Sequence, residues 1–166
     1  MDSHAAQFIK LMKHPVKSRM FLFFKLPSAY FAGVQIREFD ERRCAVSVPY
    51  KWFSQNPFRS TYFACLSMAA EMSTGSLAMA HLYKSDPPVS MLVVKIESTY
   101  YKKATGITTF ICEDGFLFRE IIETAVKTNE PQTFIARSVG RNNSNETIAE
   151  FLITWSFKAK QSKDKR

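Results

Sequence analysis

Apolar residues change their period several times along this chain, and each change predicts an element. Phe8, Leu11 and Met12 recur at helical spacing. Pro15 can open a second helix carrying Val16, Met20, Phe23 and Phe24, and Pro27 ends it or begins a further turn. Gly33 marks a switch to alternation. The segments VQIREF (34–39) and RCAVSVPY (43–50), joined by a turn at Asp40–Glu41, predict a hairpin with Cys44, Val46 and Val48 on one face. Pro49 ends that ladder or lies at an edge.

From Thr61 to Tyr83 the pattern predicts one long helix, capped by Ser60 or Thr61. Ala64, Leu66, Ala69, Ala70, Met72, Leu77 and Ala78 leave it almost no solvent face, so it needs cover on several sides. Asp86–Pro87–Pro88 breaks it. Strand character follows over 89–101, over ITTFIC (107–112), over QTFIARSVG (132–140) and over 147–157. LFREIIETAV, between Asp114–Gly115 and Thr128, fits a short helix or an irregular strand, and the helix is preferred. The order is α+β, in one domain of 166 residues with no internal repeat.

Composition adds little to this picture: 46% hydrophobic and 23% charged residues is an ordinary globular balance. Fifteen phenylalanines offer more rings than a core alone requires, which points to an apolar pocket or a subunit interface as well. The formal charge of +8 gathers at the two ends, in Lys10, Lys13, Lys17, Arg19 and Lys25 and again in Lys158, Lys160, Lys163, Lys165 and Arg166. Such charge attracts an anionic surface or a phosphorylated ligand, or simply keeps the ends solvated. Cys44, Cys65 and Cys112 are odd in number and far apart, which argues against a disulfide framework and for a reducing, cytoplasmic setting. No apolar run approaches the ~20 residues of a membrane span, and no signal peptide or nucleic-acid module is evident.

The layout of strands, one long buried helix and further antiparallel strands resembles the hotdog fold, in which a curved sheet wraps the helix. The segment from Asn56 through Tyr62–Phe63–Ala64 to Glu71 and Gly75 is similar to the stretch of phenylacetate-degradation-type hotdog thioesterases that runs from Asn through a His-Gly-Gly loop to a helical acid. Tyr101–Lys102–Lys103–Ala104–Thr105–Gly106 is similar to the signature that ends a hotdog strand. The branch it resembles most is the one designated a domain of unknown function, DUF4442. The resemblance implies a helical extension over 1–30, a hotdog thioesterase-like domain over 31–158 and a basic tail over 159–166. It also implies a homodimer, with a dimer of dimers open, whose pockets form between the long helix and a partner's strand or loop. The bulkier Tyr62–Phe63–Ala64 departs from His-Gly-Gly and removes a polar side chain.

On this reading Glu71 is the catalytic acid, acting as general base toward water or as nucleophile; the alternative is a structural acid. Ser67, Met68 and Gly75 leave space beside it. The backbone N–H of Phe63 or Ala64 can steady an oxyanion. Asn56 orients water or the carbonyl, or is merely a turn residue before Pro57. Tyr62 lies in the same loop. Arg59 meets a phosphate or carboxylate, or faces solvent. Lys102 and Lys103 meet the phosphates of coenzyme A while Tyr101 packs on pantetheine, or form a solvated turn. No metal-ligand spacing joins His4, His14 and His81. The expected activity is hydrolysis of an apolar acyl thioester of coenzyme A or of protein-bound pantetheine, needing no further cofactor. Two rivals remain: an acyl-coenzyme-A binder without turnover, and a basic membrane-surface or interaction protein.

Overall fold

Prolines set the first boundaries in the computed structural model, which describes residues 3–160. Helix α1 (Ser3–Lys13) is followed by α2 (Pro15–Lys25) and α3 (Pro27–Ala32). Pro15 and Pro27 each occupy the first turn of their helix, where the missing N–H has no helical acceptor to lose. Gly33 closes α3 in the left-handed conformation at φ 82°. The hairpin follows as β1 (Gln35–Phe39) and β2 (Cys44–Val48). A single 3-10 turn, Trp52–Ser54, then leads to α4 (Phe63–Leu82). The remainder is β3 (Val89–Tyr100), β4 (Thr108–Cys112), α5 (Gly115–Thr128), β5 (Gln132–Arg141) and β6 (Thr147–Ala159). Of the basic tail expected over 159–166, Ala159 belongs to β6, and 161–166 lie outside the described residues.

The six strands form one antiparallel sheet in the order β1-β2-β4-β5-β6-β3. This corrects the expectation of a sheet wrapped around the long helix. The sheet is open: β1 and β3 are its two free edges, and it neither closes nor curls strongly. Helix α4 packs across β2, β4, β5 and β6 on one face, while α1, α3 and α5 cover its other sides. That cover satisfies a helix with almost no polar face, so no wrapping sheet is required.

The core lies between sheet and helices. Phe110 and Phe151 meet edge to face, as do Phe118 and Phe157, joining β4, α5 and β6. Cys44, Val46 and Val48 pair with Cys112, Phe110 and Thr108 and are fully buried, as alternation predicted. The buried Ser73 hydroxyl on α4 donates to the Ala70 carbonyl at 2.7 Å and shares a 2.7 Å hydrogen bond with Ser138 of β5. A buried hydroxyl without such partners would cost stability, so this pair also fixes the seat of α4 on the sheet. Neither Ser60 nor Thr61 caps α4. Tyr62 is its first flanking residue, and Thr61 Oγ1 donates instead to the Ala104 carbonyl at 3.2 Å.

Candidate functional site

Most of the residues singled out in the sequence separate into two places. The first is a cavity of about 410 Å³ beside the middle of α4. Its walls come from α4 (Met72, Gly75, Met79), Met91 of β3 and Trp155 of β6. Its roof is α1 and α2, through Phe8, Met12, Phe21 and Leu22. Glu71 is the one carboxylate lining it, and Lys25 stands at its edge.

The Glu71 carboxyl makes no hydrogen bond or ion pair with the described residues, and burial pushes it above the usual carboxylate range. Its neighbours hold it there by shape. A Cβ at Gly75 would stand 3.0 Å from Glu71 Oε1 and 3.3 Å from the Trp155 ring, so the bare glycine leaves room for both. The indole is fixed in turn. Trp155 Nε1 donates to Thr74 Oγ1 at 3.1 Å, and that hydroxyl donates to the Glu71 carbonyl at 2.9 Å. An unpaired acid among Met, Phe and Trp side chains is suited to holding and deprotonating a water.

The second place is a wider cavity of about 710 Å³ at the amino end of α4. It gathers Asn56, Tyr62, Phe63, Tyr101, Lys102 and Lys103. Asn56 organises its loop: the carboxamide oxygen accepts from Phe58 N at 2.9 Å, Ser60 N at 3.3 Å and Ser60 Oγ at 3.2 Å. Lys102 is paired with Glu146. Among the described residues Lys103 reaches only the Phe58 carbonyl, at 3.5 Å. No side chain caps α4, so its first amides, those of Phe63 and Ala64, are left as donors at a positive helix end.

Arg59 stands outside this cavity's lining, exposed in the tight turn at φ 58°, its N–H donating to the Asn56 carbonyl at 3.1 Å. Ser67 and Met68 line neither cavity. Arg137 is held on the open face of the sheet by a bidentate contact to Glu150 at 2.8 and 2.9 Å. His81 lies elsewhere, beside Glu41, Arg119 and Glu123, with its imidazole pKa lowered by burial. All three cysteines are free and buried. Among the described residues no group of three or more His, Cys, Asp or Glu side chains is placed to hold a metal ion. No described helix is long and apolar enough to cross a membrane.

Sequence reasoning missed the roof of the first cavity. Val16, Met20, Phe23 and Phe24 were expected as the apolar set of α2, yet they are exposed, and Phe21, Leu22 and Lys25 line the cavity instead.

Solved structures share the architecture. A protein of unknown function from Pseudomonas aeruginosa, described as a probable thioesterase, superposes with a TM-score of 0.74 over 90% of this chain and 99% of its own, at 14% identity. A protein of unknown function from Chlorobaculum tepidum gives 0.73 over 88% and 97%, also at 14% identity. A thioesterase from Haemophilus influenzae gives 0.63 over 89% and 92%, at 11% identity. Likeness at such identities shows the fold alone. No curated protein matches the sequence. The model of the family described as "Domain of unknown function (DUF4442)" matches residues 17–156, and the chain belongs to that family.

Proposed function

We propose that this protein hydrolyses acyl thioesters with an apolar acyl group, carried on coenzyme A or pantetheine. The observation that carries the reading is the unpaired Glu71 carboxyl inside a largely apolar cavity. The acyl group lies among Met72, Met79, Met91 and Trp155. Glu71 takes a proton from water as the water oxygen attacks the thioester carbon. An oxyanion forms and is held by backbone N–H. It collapses to the carboxylic acid as the C–S bond breaks, and the departing thiolate recovers the proton from Glu71.

The oxyanion donors have to come from elsewhere. At ~1.5 Å rise per residue, the amides of Phe63 and Ala64 lie about 10–12 Å along α4 from Glu71. One thioester carbonyl therefore reaches both only if the second helix end belongs to another subunit. The homodimer forms along β3, a twelve-residue edge strand on which Leu92, Val94 and Ile96 are exposed. A long apolar edge of this kind favours pairing with a second strand. Lys103, the freer lysine of the second cavity, then meets a phosphate of the carrier while Tyr101 packs along its arm.

A second reading, binding without turnover, is favoured by Asn56, whose carboxamide oxygen already has three donors. Thiol release from a panel of short, long and aromatic acyl-coenzyme-A substrates separates the two. Hydrolysis predicts turnover that falls at least ~100-fold in Glu71→Gln with the fold retained. Saturable binding across the panel, no turnover and no effect of Glu71→Gln would select the second reading.

A further inference from the structure

Helix α2 is apolar on two opposite sides. Phe21 and Leu22 turn inward to the Glu71 cavity, and Leu22 is 1% exposed. Val16, Met20, Phe23 and Phe24 turn outward and are all exposed, Phe24 at 70%. A helix apolar on both sides needs cover on both, and the fold covers one.

The outward side continues into a connected surface of rings. Phe24 meets Phe23 at 5.2 Å, Phe23 meets Phe31 at 6.3 Å, Phe31 stacks on Phe53 at 5.6 Å and Phe53 meets Trp52 at 4.8 Å. These five rings come from α2, α3 and the 3-10 turn, and Trp52 is 75% exposed. The charged residues on and beside these elements have one sign. Arg19 lies 4.0 Å over the Tyr30 ring, which itself touches Phe23 and Phe31. Lys17 and Lys25 sit on α2, and Lys51 precedes Trp52. From Ser3 to Arg37 there are six Lys or Arg residues and no Asp or Glu.

We infer that this surface docks onto an anionic lipid bilayer. Exposed Trp and Phe rings suit the boundary between headgroups and acyl chains, and a rim of Lys and Arg suits anionic headgroups. A second copy seated on the same surface about a two-fold axis would set these cations against their own images, with no acid in the segment to offset them. The docking surface and the roof of the cavity are opposite sides of one helix. The inference stands on this surface and does not depend on the hydrolytic reading.

The test is binding to phosphatidylcholine vesicles with and without phosphatidylserine, by co-sedimentation and by tryptophan emission. The wild type is expected to bind the anionic vesicles about tenfold more tightly, with a blue shift that Trp52→Phe removes and the buried Trp155 does not supply. Phe24→Ser with Trp52→Ser is expected to weaken binding about tenfold without lowering the melting temperature, since both side chains are exposed. Lys17→Glu is expected to weaken it at low salt and to matter less at high salt. Absence of binding to anionic vesicles, or binding that the double variant leaves unchanged, would overturn the inference. So would self-association in sedimentation equilibrium that the double variant abolishes, because a second copy would then be the occupant.

Discussion

The two cavities along α4 are built on opposite principles. Around Glu71 the walls are Met, Phe and Trp, and the acid has no partner among the described residues. Around Asn56 several polar groups are already engaged: the carboxamide oxygen with three donors, Lys102 with Glu146, Thr61 with Ala104. Desolvation leaves a carboxyl poised to move a proton, whereas satisfied hydrogen bonds hold a loop in place. On the proposed reading, the drier, apolar cavity supplies the reactivity and the wetter, polar one the positioning. Substitutions that act differently on the two regions test that division.

The largest effect is expected at Asn56. Asn56→Ala removes the acceptor from three donors and is expected to cost about 2–3 kcal/mol, lowering the melting temperature by about 5–10 °C. Asn56→Asp keeps an oxygen in place and is expected to stay within about 2 °C of the wild type. Thermal unfolding followed by circular dichroism reads both. Should Asn56→Asp keep its stability yet lose thiol release, the amide N–H₂ would have a chemical task, and the wet region would be more than a scaffold.

Much of the fold was legible because its punctuation is local. Pro15 and Pro27 open helices, Asp114 and Gly115 open α5, and alternation from Gln35 and from Thr108 gives strands. The openness of the sheet was not legible. The composition of α4 states that it must be covered, yet α1, α3, α5 and a wrapping sheet would all satisfy it, and no spacing within α4 separates them. The candidate site divides in the same way. Glu71 stood out as an acid among small and apolar residues, but the cavity around it is closed by α2. There the run Met20–Phe24 places inward Phe21 and Leu22 directly beside outward Phe23 and Phe24. Five consecutive apolar residues carry no period by which the two sides could be told apart.

Gly75 sharpens the comparison from the dry side. Alanine there gains about 1 kcal/mol of helix propensity. It also places a methyl group 3.0 Å from Glu71 Oε1 and 3.3 Å from the Trp155 ring, and overpacking of this kind costs about 1–3 kcal/mol. The terms largely offset, so unfolding is expected to change by about 1 kcal/mol or less in Gly75→Ala. The displaced carboxyl is expected to lower thiol release about tenfold, since geometry at the reacting atoms governs rate. Affinity for free coenzyme A, measured by calorimetry, is expected to stay unchanged, because the proposed carrier site lies in the other cavity. Equal losses in both readings would mean that the two cavities act as one.

The smallest effect is expected from Glu71→Gln on stability, and its sign is the informative part. Burial raises the folded carboxyl's pKa above its ordinary 4.5, so over the window from about pH 4.5 to the raised folded value the native chain keeps a proton that the unfolded chain has lost. Stability falls as pH climbs through that window and stays lower above it. Glutamine has no such proton. Glu71→Gln is therefore expected to melt about 2–4 °C above the wild type at pH 7, the usual scale for relieving a site kept for function rather than for stability. That gap is expected to close as pH falls below about 4.5, where both chains carry a neutral side chain. Melting curves of the two proteins across this range decide it. A Gln variant that melts lower at pH 7 would mean that the ionised acid has a stabilising partner in the folded protein, and the contrast between a dry acid and a wet scaffold would fail at its centre.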